Sequence, residues 1–257
     1  MILDDIMKFR KEQLAREKAA VPDEEMKRLA LECTRPTLGF KSAISKTGVN
    51  IISEVKKASP SKGVISPDFH PVKTAINYQN SGAAAISVLT EEHYFMGSSE
   101  YLRAIRQAVD IPIIRKDFIF DPYQIYEARV IGADAVLLIA ALLTADEMRE
   151  LRLLAESLEL DVLCESHNEE EIQTCIAAEA SIFGINNRNL KTFKVTLDTT
   201  EKLAKLLPEG SVIVSESGMF TVGDVLRVHD CGANSVLIGE SLMRDPGLLS
   251  QIREAVE

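Results

Sequence analysis

No apolar run in this 257-residue chain extends beyond residues 135–143. A membrane span needs about 18 consecutive apolar residues, so none is expected. The N-terminus opens Met1-Ile2-Leu3-Asp4-Asp5, with acids where a secretory leader carries basic residues, so the expected location is the cytoplasm. Four cysteines (Cys33, Cys164, Cys175, Cys231) form no Cys-x-x-Cys pair, which argues against a zinc knuckle or redox motif. Four histidines are equally dispersed, with no His-x-x-x-His spacing, and no metal site is expected. Net charge is −10 and no basic stripe is present, which removes nucleic acid and anionic membranes as expected partners. In so acidic a protein, cations held in strands are more informative than cations on helices. The absence of tryptophan carries no such information.

What is present is a repeat of apolar runs and amphipathic stretches. From Asn50 onward, apolar runs begin near Ile51, Ala84, Ile113, Ala135, Val162, Ile182, Val212 and Ser235, a spacing that suits a repeated βα unit. Helical patterns fit between them at 102–109, 123–131, 145–158, 169–178, 199–207 and 222–230, and Gly82, Gly132 and Gly232 stand in helix-stop positions. Before them, Ile2, Ile6 and Phe9 begin one helix. Pro22-Asp23-Glu24-Glu25 begins a second, and Arg35-Pro36 ends it. Eight strands with about eight helices predict an α/β chain folded as a (β/α)8 TIM barrel, residues 1–257 as a single domain with 1–45 as a two-helix N-terminal extension. The length agrees, since such barrels run to about 250 residues. An open doubly wound sheet is disfavoured because no G-x-G-x-x-G follows the first strand.

Ionisable side chains stand at the C-terminal ends of these runs, which all open onto one face in a parallel barrel. A buried charge costs several kcal/mol unless something pairs with it, so several such residues predict a shared polar pocket. Glu54 and Lys56 are two apart and share a face, as do Asn186 and Arg188. Either Arg115 or Lys116 must point inward. A partly desolvated Lys116 with a lowered pKa would serve as a general acid, and Glu165, two residues after Leu163, would have a raised pKa suited to general-base work. Each could alternatively be a structural ion pair, and Lys56 could be solvated beyond its strand. The loop from Ser59 to Gly63, with hydroxyls, a lysine and a glycine, could be a lid or a plain surface loop.

The last two strands end in Ser215-Glu216-Ser217-Gly218 and Ile238-Gly239-Glu240-Ser241. Glycines admit close backbone approach, and the loops after strands seven and eight are the usual phosphate site of these barrels.

Taken together, Ile52-Ser53-Glu54-Val55-Lys56-Lys57-Ala58-Ser59-Pro60-Ser61, Leu89-Thr90-Glu91-Glu92-His93-Tyr94-Phe95-Met96-Gly97, Arg115-Lys116-Asp117-Phe118, Gly184-Ile185-Asn186-Asn187-Arg188-Asn189-Leu190, Ser215-Glu216-Ser217-Gly218 and Ile238-Gly239-Glu240-Ser241-Leu242-Met243 resemble indole-3-glycerol phosphate synthase, in order and over the whole chain. The resemblance implies ring closure of 1-(2-carboxyphenylamino)-1-deoxyribulose 5-phosphate with loss of carbon dioxide and water, in tryptophan biosynthesis, with no cofactor. It implies Lys116 as general acid, Glu165 as general base, and Lys56 at the substrate carboxylate with Glu54 as its partner. Asn186 and Arg188 would hold the anthranilate carboxylate and the reacting hydroxyls, Ser217 would be a polar contact beside Asn186 in the catalytic set, and Ser59 would bind substrate with Arg188. Phe118 and Leu137 become an apolar wall, and Gly218, Gly239 and the Glu240 amide the phosphate cradle. Glu240 stands where some relatives carry serine. A small phosphorylated anion is the implied partner, and the chain could act as a monomer. The competing expectations are a phosphoribosyl isomerase and a non-catalytic barrel that keeps only the phosphate site.

Overall fold

Alternation of side chains along each strand decides this architecture. In the computed structural model, which describes residues 2–190, 192–245 and 247–256, eight parallel strands close on themselves. They are β1 (Asn50–Val55), β2 (Ala85–Leu89), β3 (Ile113–Lys116), β4 (Ala135–Ile139), β5 (Asp161–Ser166), β6 (Ile182–Asn186), β7 (Val212–Glu216) and β8 (Ser235–Ile238). Each pairs with its sequence neighbours, and β1 closes the ring against β8. Ile52, Ile114, Leu163, Val214 and Leu237 point inward and pack together. Their neighbours Ile51, Ile113, Cys164, Ile213 and Val236 point outward into the helix layer. One-residue steps between two apolar surfaces are what a strand buried on both faces requires.

The helices between strands are α4 (Pro71–Asn80), α5 (Ser99–Arg106), α6 (Pro122–Ile131), α7 (Ala145–Ser157), α8 (Glu169–Ala177), α9 (Asp198–Leu203) and α10 (Val222–Asp230), and α11 (Glu240–Arg244) and α12 (Leu248–Val256) follow β8. The helix α4 has no counterpart among the stretches picked out by periodicity. Asp121 and Gln124 cap the start of α6 reciprocally, and Gln124 also donates to the Phe118 carbonyl at 2.8 Å. That fixes the path of the chain between Lys116 and the helix. Gly132 closes α6 at φ 98°, a conformation that a side chain would resist.

Ahead of the barrel lie α1 (Ile2–Ala20), α2 (Asp23–Leu31) and a third short helix, α3 (Phe40–Ile44). The second ends at Leu31, short of Arg35-Pro36. Leu14 of α1 and Met26 of α2 pack against Tyr123 of α6. Phe40 and Ile44 are fully buried among the inward-facing strand residues. The α3 segment is tied to the strand beginnings by Lys41 N–H to Asp161 (2.7 Å) and by the Ser235 hydroxyl to the Ile44 carbonyl (2.5 Å). It therefore closes the N-terminal end of the barrel. Among the described residues no helix is long and apolar enough to cross a membrane.

Candidate active site

Opposite that closed end, the C-terminal ends of the strands surround a cavity of about 1250 Å³, which includes space open to solvent. Lys116 occupies its floor. Its Nζ lies 2.7 Å from Glu165 Oε2 and 2.5 Å from Glu216 Oε2, so three strands converge on one ammonium group. Arg115 takes the other face. It is fully buried outside the barrel, where it meets Asp117 (2.9 Å), Glu127 (2.6 Å) and the Gln124 carbonyl (2.9 Å). Asp117 is held in turn by Arg10 of α1 at 2.9 Å and by the Thr90 hydroxyl at 2.7 Å. The two neighbours of Lys116 are thus locked by charged contacts behind the strand, which leaves the lysine aimed inward.

The electrostatics correct two expectations. Burial works to lower the proton affinity of Lys116, but Glu165, Glu216 and Glu54 outweigh it, and its pKa is raised rather than lowered. Burial works to raise Glu165, but Lys116 and His167 overcome it and hold that carboxyl well below the usual range. The raised carboxyl is Glu216, pushed up to about 8 by burial and by Glu165, with Lys116 pulling the other way. The asymmetry has a cause in the contacts. Glu165 also receives Asn186 Nδ2 at 3.3 Å and faces the His167 ring, whereas Glu216 Oε1 has no hydrogen-bond partner among the described residues. Two buried carboxylates sharing one lysine split in this way, with the one that has more hydrogen-bond and cationic partners ionised.

Glu216 is the residue that sequence reasoning passed over. Its signal was available, since Val212, Val214 and Glu216 alternate along β7 as Ile52 and Glu54 do along β1. Asn187 was also passed over. Its side chain donates to Ser215, to the Glu216 carbonyl and to the Ser217 carbonyl (3.0–3.1 Å) and accepts from Thr200, which fixes the exit of β7.

On the opposite wall Glu54 and Lys56 form an ion pair, with the lysine only 18% exposed, so Lys56 is not a solvated surface residue. Asn186 and Arg188 line the same cavity, and the Arg188 amide donates to Asn186 Oδ1 at 3.0 Å. Among the described residues no carboxylate lies within ion-pair reach of the Arg188 guanidinium. Phe118 and Leu137 supply apolar wall, joined by Ile2, Leu3 and Ile6 of α1, which the sequence had not suggested. Ser59 lines the cavity from a two-residue antiparallel hairpin, Ala58–Ser59 with Gly63–Val64, where a plain loop was one of the two expectations.

At the far side Ser217 and Gly218 adopt successive left-handed conformations (φ 64° and 91°), and Gly239 leads into α11. Gly218, Gly239 and Glu240 all line the cavity, and the Ser241 hydroxyl donates to the Met219 carbonyl at 2.6 Å, which ties the two loops together. The Glu240 carboxylate pairs with Arg244 at 3.2 Å, leaving its backbone as the part available to a ligand. Among the described residues no three His, Cys, Asp or Glu side chains gather as a metal-holding group. The four cysteines are free thiols, and burial pushes Cys164 up to about 12.

Residues 3–255 match the family described as indole-3-glycerol phosphate synthase. The chain belongs to that family. A protein named indole-3-glycerol phosphate synthase from Lachnospira eligens is 52% identical, over 99% of this chain and 97% of its own length. One of the same name from Endomicrobium trichonymphae is 49% identical over 99% of both. Among solved structures, an N-acetylmannosamine-6-phosphate 2-epimerase from Clostridium perfringens superimposes with a TM-score of 0.61 at 14% identity, over 80% of this chain and 93% of its own. That likeness concerns the TIM-barrel fold alone. Indole-3-glycerol phosphate synthases are carboxy-lyases of tryptophan biosynthesis that act on a phosphorylated substrate, and family membership brings this chain into that class.

Proposed function

We propose that the cavity closes the indole ring of 1-(2-carboxyphenylamino)-1-deoxyribulose 5-phosphate, with Lys116 as the acid at its centre. The observation that carries this reading is the Lys116 ammonium group held between Glu165 and Glu216 on the cavity floor. The substrate phosphate is assigned to the backbone at Gly218, Gly239 and Glu240, near Ser217. Its carboxylate is assigned to Lys56 and Arg188, with Glu54 orienting the lysine and Ser59 and Asn186 completing the polar contacts. The aromatic ring lies against Phe118 and Leu137.

Ring closure joins the aromatic carbon that bears the carboxylate to the ketone carbon. The carbonyl electron pair moves to oxygen, which takes a proton from Lys116. The bond to the carboxylate then breaks, and its electrons restore the aromatic ring as carbon dioxide leaves. Loss of the hydroxyl as water needs a second acid and a base. Glu165, held ionised, suits the base. Glu216, protonated at neutral pH, suits the second acid. A preorganised acid of this kind is worth roughly 10²–10⁴-fold in rate.

The same reading takes residues 1–257 as one barrel domain with 1–45 as its extension, working in the cytoplasm without a cofactor. The test is indole fluorescence from the purified protein and this substrate, alongside Lys116→Ala. The wild type is expected to form indole, and the variant to lose turnover while keeping its circular dichroism spectrum. Near-wild-type turnover by Lys116→Ala would remove the central assignment.

A further inference from the structure

Asn187 stands one residue past β6, buried, with its side chain against the exit of β7. Its Oδ1 accepts from the Thr200 amide at 3.1 Å and from the Thr200 hydroxyl at 3.0 Å. A main-chain N–H can only donate, so the side-chain amide has one orientation, oxygen toward Thr200 and nitrogen toward β7. Nδ2 donates to the Ser215 hydroxyl and the Glu216 carbonyl at 3.0 Å and to the Ser217 carbonyl at 3.1 Å. With two hydrogens for three acceptors, one bond is shared. The Ser215 and Thr200 hydroxyls lie 2.7 Å apart, which completes a ring. Thr200 gives its hydroxyl proton to Asn187, so Ser215 gives its own to Thr200, and every donation in the ring runs one way round.

That ring holds a turn which the chain alone disfavours. Ser217 carries a Cβ yet sits in the left-handed region, at φ 64°. Gly218 follows at φ 91°, and a Cβ added there would lie 2.8 Å from Val195 and 3.1 Å from Leu197, so the turn packs against the same stretch that Asn187 begins. Among the described residues no peptide bond is cis. In a trans peptide the carbonyl of one residue and the N–H of the next point in opposite directions. Asn187 draws the Ser217 carbonyl toward itself, and the Gly218 N–H therefore points away from Asn187. Ser217 and Gly218 line the main cavity, whereas Asn187 does not. Among the described residues the Gly218 N–H donates to no other group.

We propose that Asn187 is the positioning residue of the phosphate cradle, fixing the Ser217–Gly218 turn so that the Gly218 amide meets a phosphate oxygen. The inference rests on the assignment of the phosphate to Gly218, Gly239 and Glu240 given above. Asn187 touches no substrate atom itself. A backbone N–H cannot be re-aimed by turning a side chain, so this donor is only as well directed as the carbonyl behind it. Asn187→Asp isolates the chemistry. The variant keeps an oxygen for Thr200 but sets a second oxygen where Nδ2 met two carbonyls. Acceptor then faces acceptor in a buried place, which releases the turn.

The test follows indole fluorescence in wild type and Asn187→Asp with two competitors, inorganic phosphate for one end of the substrate and anthranilate for the other. The expected result is a rise of about tenfold or more in KM and in the inhibition constant of phosphate. The fall in kcat should be smaller, and inhibition by anthranilate should not change. Equal weakening of both competitors would mean that Asn187 only stiffens the barrel, and unchanged competition by phosphate would mean that the turn holds itself. Either result overturns the proposal. Thr200→Val removes the hydroxyl of the ring at nearly the same shape, and Thr200→Ser restores it. That pair should lose and regain competition by phosphate, and it decides the matter if Asn187→Asp does not fold. Phosphate that fails to compete in the wild type would sink the cradle assignment and the inference with it; phosphate that competes equally in wild type and variant would sink the role of Asn187 alone.

Discussion

Glu216 rests its carboxylate on Gly184. A methyl group built on that glycine would lie 2.5 Å from Glu216 Oε1 and 3.4 Å from the Leu163 side chain. Glu54 stands in the same relation to Gly239, where an added Cβ would collide with its carboxylate. Two acids of the cavity therefore owe their positions to missing side chains, one within the adjoining strand β6 and one just past the end of β8. Gly184 has an interior role in β6, where a glycine otherwise weakens a strand.

Gly184→Ala is accordingly expected to turn the Glu216 carboxylate away from Lys116 while the barrel stays closed. Misplacement of a catalytic group by about 1 Å can cost roughly 10²-fold in rate. We expect a kcat loss of that order with an unfolding midpoint near that of the wild type. A fully active variant would mean that Glu216 has room to move without consequence.

Glu216 should also set an alkaline limit. Its carboxyl is pushed up to about 8 by burial, and only the protonated form can donate. Activity should hold through neutral pH and fall as pH rises through about 8. Glu216→Gln should lower kcat and abolish that fall; a variant that keeps the limb would assign it to another group. Stability follows the same sign, because the folded state holds this proton more tightly than the unfolded chain. The contribution is complete below the ordinary value of 4.5 and is lost as pH climbs through about 8.

Lys56→Ala tests the carboxylate assignment. A hydrogen bond to a charged group is worth roughly 1.5–3 kcal/mol, or about 10- to 100-fold in affinity. KM should rise by about that factor, with a smaller change in kcat. An unchanged KM would exclude Lys56 from substrate contact.

Arg10→Ala tests the clamp behind Lys116. The Arg10 and Asp117 side chains are both fully buried and 2.9 Å apart. Removing one partner of a buried ion pair costs roughly 3–5 kcal/mol, because the other charge is left uncompensated. Urea unfolding should register that loss. A variant as stable as wild type would mean that Arg115 alone satisfies Asp117.

The barrel was legible in the sequence because each strand advertises itself locally. Runs such as Ile182-Phe183-Gly184-Ile185 are apolar on both faces and end at an ionisable or amide side chain. The helix α4 showed itself only through its stop at Gly82, because Val72, Ala75 and Ile76 make an apolar stripe barely one turn long. The third helix escaped because Phe40 and Ile44 make sense only once the ring they enter exists. All thirteen candidate site positions open onto one cavity, since strand ends share a face in this topology. Proton affinities were not legible. Lys116 meets Glu165 across 49 positions of chain and Glu216 across 100, and the sign of each shift depends on those meetings. Lys116 read alone is a desolvated lysine, whereas between two carboxylates it is a tightly held cation.

The Phe40 and Ile44 side chains, seated at the foot of the barrel, make the fold a blind vessel. Substrate, carbon dioxide and the finished indole-3-glycerol phosphate must all pass the same rim, which Ser59 and Phe220 help to line. Gas and bulky product therefore queue at a single doorway, and whatever narrows that rim slows departure as well as arrival.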